Sequence, residues 1–132
     1  MSGPLSHPLD PLTTSEVRKA TEALNSHLKT GRHDIRFKLI DLFEPAKTET
    51  LAHLQDNGPV PDRRARVYFQ RKNEAALSKA KVNITTGAVE RIEHLPDSQG
   101  PVDWVEYDLV NKACTEHPEI LAEVAKLKLP PQ

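Results

Sequence analysis

The chain has one cysteine, Cys114, in 132 residues. That excludes an internal disulfide framework and a cysteine-rich zinc module. Aromatics are scarce: Phe37, Phe43, Phe69, Tyr68, Tyr107 and Trp104 are all there are. A core must therefore lean on Leu, Ile, Val and Ala. The five glycines (Gly3, Gly31, Gly58, Gly87 and Gly100) lie far apart, so no glycine-rich loop exists to cradle a phosphate. Neither sign of charge dominates: 18 Lys+Arg against 19 Asp+Glu give −1. No global field then steers the protein to nucleic acid or to an anionic membrane. No run approaches the ~20 apolar residues of a membrane span. Residues 1–12 lack the basic start and apolar stretch of a secretory leader, so the expected address is intracellular.

What is present suits a small fold. The length allows one domain, or one plus a fragment of another. A composition of 37% hydrophobic and 28% charged residues supplies one modest core. Eleven prolines gather unevenly: Pro4, Pro8 and Pro11 lie in the first twelve residues, and Pro130 and Pro131 end the chain. Both termini read as extended arms, the first spanning residues 1–12.

Between the arms the periodicity changes several times. Thr13-x-x-Glu16 fits a capping box, and Val17, Ala20, Leu24 and Leu28 follow at helical spacing until Gly31 supplies a stop. From His33 to Phe43, Ile35, Phe37 and Leu39 alternate with Arg36 and Lys38. Ile40 and Leu42 then take the opposite parity, which points to a bulge or to an end buried on both faces. Thr48–Gln55 reads as a short helix, ended by Asp56-Asn57-Gly58-Pro59. Three alternating segments follow, Arg64–Gln70, Ser78–Ile84 and Ala88–His94, with links short enough to make antiparallel neighbours. Helical spacing returns with Val105, Leu109 and Lys112/Ala113, and after Pro118 with Ile120, Leu121, Val124 and Leu127. The expected fold is α+β: one helix packed on a four-stranded antiparallel sheet with one solvated face, cystatin-like, plus extra C-terminal helices.

Few residues assemble into recognisable chemistry. His7, His27, His33, His53, His94 and His117 contain no His-x-His or His-x-x-x-His spacing, and no Gly-x-Ser-x-Gly occurs. Cys114 falls on or beside an apolar helical stripe, where a buried structural thiol is expected. Glu90 and Glu93 are expected on opposite faces of a strand, unable to cooperate. Asp103, Glu106 and Asp108 suit a helix N-terminus. Arg63, Arg64, Arg66, Arg71 and Lys72, with Lys79 and Lys81, form a basic cluster beside Tyr68. Asp62, Glu74, Glu90 and Glu93 share that neighbourhood, which favours a solvated or inter-domain face over a nucleic-acid surface. Asn83-Ile84-Thr85 spells a glycosylation acceptor that the expected intracellular address would leave unused. A small lyase or isomerase pocket would have only His53, His94 or Asp41 to draw on. The Arg71-Lys72-Asn73-Glu74 hairpin lacks the glycine-containing wedge of a cystatin-type protease inhibitor. No catalytic, cofactor-binding or metal-ligating residue is assigned.

Several stretches, in order, resemble one family. His7-Pro8-Leu9-Asp10-Pro11-Leu12 before Thr13-Thr14-Ser15-Glu16 is similar to the opening of eukaryotic, particularly fungal, copper-containing primary amine oxidases. Phe37-x-x-Ile40-x-Leu42-x-Glu44-Pro45-x-Lys47 resembles that family's strand and Glu-Pro-x-Lys turn. Arg64-x-Arg66-Val67-Tyr68-Phe69 and Ala80-Lys81-Val82-Asn83-Ile84-Thr85-Thr86-Gly87-Ala88-Val89 resemble its hairpins. Trp104-Val105-Glu106-Tyr107 through Glu116-His117-Pro118-Glu119-Ile120 resembles the helical entry to its next domain. The resemblance implies that residues 13–97 form the first of two small non-catalytic α+β domains, and residues 98–132 a linker and the opening helices of the second. It implies partners as well: a catalytic β-sandwich, the second small domain and a parent homodimer, with no nucleic acid or membrane, in the cytoplasm or a peroxisome. The parent would oxidise primary amines to aldehyde, ammonia and hydrogen peroxide with copper and topaquinone. The chain departs from that chemistry, having no Asn-Tyr-Asp/Glu quinone precursor and no His-x-His. Its acidic-tyrosine run, Glu106-Tyr107-Asp108, lacks the Asn. The expected role is structural packing.

Overall fold

The computed structural model describes residues 7–31 and 33–130 and divides into two compact units, Met1–Gly100 and Pro101–Gln132. The first unit opens with α1 (Thr14–Leu28). Thr13 caps it in extended conformation: its hydroxyl accepts from the Glu16 N–H at 3.3 Å, and the Glu16 carboxylate accepts from the Thr13 N–H at 2.8 Å. The reciprocal box satisfies two otherwise orphaned donors. The stop lies earlier than the glycine. Lys29 adopts the left-handed conformation (φ 54°) and its N–H reaches the Asn25 and Ser26 carbonyls. Gly31 instead starts the next turn, donating to Asp34 Oδ2 at 2.9 Å.

Four strands follow, β1 (Ile35–Phe43), β2 (Arg64–Arg71), β3 (Leu77–Asn83) and β4 (Ala88–Leu95). They form one sheet in the order β1-β2-β3-β4, every pair antiparallel. The α+β expectation of a helix on a four-stranded antiparallel sheet therefore holds. In β2, Ala65, Val67 and Phe69 are fully buried against Ala20 and Leu24 of α1 and Ala80 and Val82 of β3. At ~1.5–3 kcal/mol for each large apolar side chain removed from water, this layer carries the stability of the unit. Short α2 (Lys47–Asp56) bridges β1 and β2. Asn57 ends it in left-handed conformation (φ 52°). Gly58 follows because a Cβ there would meet the Ala52 carbonyl oxygen at 2.9 Å.

Both edge strands carry a bulge. In β1, Phe37 faces Phe69 and Leu39 faces Tyr68, which leaves Lys38 as the extra residue. The parity switch seen in the sequence is thereby realised: Phe37 and Ile40 both pack on the core, while Leu39 is 46% exposed. In β4, Arg91 faces Lys81 and Val89 faces Val82, so Glu90 is the extra residue.

Residues 7–12 are not the unpacked arm that proline content suggested. Pro8 is buried, Leu12 packs on the core, and Asp10 closes a turn by accepting from the His7 N–H at 3.0 Å. Residues 1–6, and Pro131 at the other end, lie outside the described residues.

The second unit holds α3 (Trp104–Glu116) and α4 (Pro118–Lys126). Asp103 caps α3 in a second capping box with Glu106, and Pro118 occupies the first turn of α4. None of the residues in either helix is buried. Cys114 is accordingly exposed, contrary to the expected buried thiol: it lies on a helix whose apolar side chains enclose no core.

Candidate functional site

Two polar assemblies stand out in the first unit. One is interior and organised by Arg63. The alternation that buries Ala65, Val67 and Phe69 extends back to Arg63, which is 8% exposed. Its guanidinium uses all five N–H groups. Nε donates to Glu16 Oε1 at 2.9 Å, and one terminal nitrogen donates to the Pro8 and Asp10 carbonyls at 3.0 and 2.8 Å. The other donates to the Pro11 carbonyl at 3.3 Å and to Glu16 Oε2 at 3.2 Å. A buried guanidinium needs this degree of saturation, because each lost bond exposes an uncompensated charge to a low dielectric. Burial pushes the Glu16 carboxyl up. The hydrogen bonds and charge of Arg63 and the donors of Thr13 outweigh it and hold the group below the usual carboxylate range. Arg63 thus leaves the basic cluster in which its sequence neighbours would place it. It clamps residues 8–11 onto the start of α1.

The second assembly is the open face of the sheet, opposite α1. Arg64 and Arg66 of β2 and Lys79 and Lys81 of β3 form a central basic strip, with carboxylates on either side. Arg66 pairs with Asp41 of β1, which holds the guanidinium charged above its usual range. Arg64 Nε donates to Glu90 Oε1 at 2.9 Å, Lys81 Nζ lies 3.3 Å from Glu90 Oε2, and Lys79 Nζ lies 2.6 Å from Glu93 Oε2. Arg91 also pairs with Glu93. Burial pushes Glu90 up, but Arg64, Asn83 and Lys81 outweigh that and lower it; Lys79 chiefly lowers Glu93. Two cations of the strip also lie over rings, Lys81 Nζ 4.4 Å from the Phe43 centroid and Arg66 Cζ 5.9 Å from that of Tyr68. A depression of about 360 Å³ opens between Phe43, Arg66, Lys81, Glu90 and Glu93.

This geometry corrects the expectation for the two glutamates. The bulge at Glu90 turns it onto the same open face as Glu93, where lysines two residues apart on β3 hold them. They neutralise cations there, and a sheet face of alternating sign results. Asn83 is buried beneath it, donating to Asp62 Oδ2 at 2.9 Å and Glu90 Oε1 at 3.3 Å.

The residues available to a small-molecule pocket do not converge. His53 Nδ1 lies 3.0 Å from the Gly58 carbonyl at the end of α2. His94 meets Ser78 at 3.4 Å on the α1 side of the sheet, and Asp41 is taken by Arg66 on the other side. Phe69, Leu24, Val67 and Val82 fill the space between α1 and the sheet. Among the described residues no three His, Cys, Asp or Glu side chains cluster so as to hold a metal ion. Nor is any helix there long and apolar enough to cross a membrane.

Comparisons with known proteins converge on one group. A family model described as copper amine oxidase, N2 domain, matches residues 7–94. A primary amine oxidase of Arthrobacter sp. is 29% identical over 123 residues, 92% of this chain and 18% of that protein. Copper amine oxidase 1 of Schizosaccharomyces pombe is 32% identical over 93 residues, 69% of this chain and 13% of that protein. The crystal structure of a copper-containing benzylamine oxidase from Hansenula polymorpha matches with a TM-score of 0.74 at 29% identity, over 95% of this chain and 20% of that one. Pichia pastoris lysyl oxidase shares the fold, with a TM-score of 0.65 at 19% identity. The chain spans less than a fifth of the curated relatives it matches.

Proposed function

The chain belongs to the copper amine oxidase N2-domain family, and from that premise we propose that it serves as a non-catalytic packing domain of a longer copper amine oxidase. Residues 13–97 are the cystatin-like packing unit, and residues 98–132 open the domain that follows. The parent would convert primary amines to aldehyde, ammonia and hydrogen peroxide. Copper and topaquinone would supply that chemistry from elsewhere in the parent, since the residues of this chain do not fit them: its histidines are dispersed and its tyrosines lie outside any Asn-Tyr-Asp/Glu run.

One observation carries the reading. The second unit presents Trp104, Val105, Leu109, Ile120, Val124 and Leu127 to solvent and buries no helical residue. Two helices with that much uncovered apolar surface require a neighbour. A catalytic β-sandwich and a second small domain, in a parent homodimer, are the partners we propose. The open sheet face, with its compensated charges, suits contact with another protein layer better than capture of a charged substrate.

The test has two arms. The purified chain, supplied with copper(II), oxygen and methylamine or benzylamine, should release no peroxide and give no redox-cycling quinone stain; either signal would overturn the non-catalytic role. In hydrogen exchange, amides of α3 and α4 should exchange through openings of near-zero free energy while β2 and β3 stay protected. Equal protection of the two units would show that the helices need no neighbour.

A further inference from the structure

Asn83-Ile84-Thr85 is an acceptor sequence for asparagine-linked glycosylation, and the packing role makes no use of it. In the fold it forms the end of β3 and the start of the turn into β4. The polar atoms of the Asn83 side chain that modification would need are all committed. Asn83 is 4% exposed. Its Nδ2 donates both hydrogens, to Asp62 Oδ2 at 2.9 Å and to Glu90 Oε1 at 3.3 Å. Its Oδ1 accepts from the Thr86 N–H at 3.0 Å, and its backbone carbonyl accepts from Gly87 at 2.8 Å. Thr85 Oγ1 accepts from the Arg63 N–H at 3.0 Å, and the Ile84 N–H donates to the Arg63 carbonyl at 2.8 Å. The motif therefore locks the β3–β4 turn to the residue that clamps the chain's opening segment.

Glycosyl transfer would form a bond from Asn83 Nδ2 to the anomeric carbon of the sugar. It would break that carbon's bond to the lipid-pyrophosphate carrier, which leaves with the bonding electrons as the free pyrophosphate, and one of the two Nδ2 hydrogens would depart as a proton to the transferase or to water. A single N–H would then face two carboxylates. The sugar ring would need the volume between Asp62 and Glu90, both of which Arg64 holds in place, at 3.5 and 2.9 Å. We propose that a glycan on Asn83 and this fold exclude each other, so that the chain reaches its native state only on a route that leaves Asn83 unmodified. The acceptor sequence thereby acts as a folding gate that distinguishes compartments with oligosaccharyl transfer from those without it.

The full chain can be expressed in yeast with and without a cleavable secretory leader, each with and without tunicamycin, which blocks formation of the lipid-linked donor. Endoglycosidase H sensitivity, release into the medium and thermal melting are the readouts. The leaderless chain should be unmodified and melt cooperatively. The leader-bearing chain should carry an Endo H-sensitive glycan, stay in the cell and lack a cooperative melt, and tunicamycin should return it to the medium with the leaderless melting midpoint. Release of unmodified chain without the drug also supports exclusion, because folding then outran transfer. A glycosylated chain that is released with an unchanged midpoint overturns the proposal, as does retention that tunicamycin does not relieve.

Discussion

Replacing Arg63 with alanine removes a guanidinium whose five N–H groups all have acceptors. The Glu16 carboxylate, in a residue 9% exposed, is left with the Thr13 N–H and hydroxyl alone. The Pro8, Asp10 and Pro11 carbonyls lose their donor. Removing one partner of a buried pair costs ~3–5 kcal/mol, a large share of the ~5–15 kcal/mol that holds a typical domain folded. Arg66, three residues along, is the internal control. Its pair with Asp41 has side chains 41% and 36% exposed, and an exposed pair is worth at most ~1 kcal/mol. With ~4–8 °C in Tm per kcal/mol for a domain of this size, Arg63→Ala should lower Tm by at least ~12 °C and Arg66→Ala by less than ~8 °C. Urea and thermal unfolding followed by circular dichroism read both. Adding Glu16→Gln to Arg63→Ala should cost less than Glu16→Gln does in the native background, because the stranded charge is then gone. Equal losses for the two arginines, or strict additivity with Glu16→Gln, would refute the clamp.

Two further outcomes follow from geometry already described. Glu16 is held below the usual carboxylate range when folded, so its contribution is complete above the unfolded value near ~4.3 and is lost as pH falls through the lower folded value. Urea titrations should show Glu16→Gln with a shallower decline of stability below about pH 4.3 than the native chain, and parallel curves would contradict this. The bulge at Lys38 sends Leu39 outward and Ile40 inward, so Leu39→Ala should change stability by no more than ~0.5 kcal/mol and Ile40→Ala should cost ~2 kcal/mol or more. The reverse order in denaturant midpoints would mean an unbulged strand.

Much of the fold was legible because its signals are local. Thr13 and Glu16 stand three apart in front of an apolar stripe, and β2 alternates without interruption. The β1 bulge was legible too, since Ile40 and Leu42 break the parity of Ile35 and Phe37. The β4 bulge carried the same kind of signal in a weaker form: Val89 and Ile92 both face inward although an odd interval separates them, which a regular strand forbids. Without reading that interval, Glu90 and Glu93 fall on opposite faces. Arg63 was misplaced for a different reason. Its parity matches Ala65, Val67 and Phe69, but the charge argued for solvent, and the partners that permit burial are 47 residues away at Glu16 and in carbonyls that leave no trace in side-chain chemistry. The exposure of Cys114 was likewise invisible, because an apolar stripe shows what a helix could bury and not whether anything covers it.

The two bulges have one more effect, on assembly. β1 and β4 are the outer strands of the sheet, and each is interrupted within its own length, by Lys38 and by Glu90. An incoming strand needs an unbroken row of evenly spaced donors and acceptors, and here it meets a twist and a charged side chain partway along either rim. The sheet is therefore capped against lateral growth at both ends. A copy of this unit offers another copy no flat, unbroken template along either rim, which favours association across a face, where side chains can discriminate among partners.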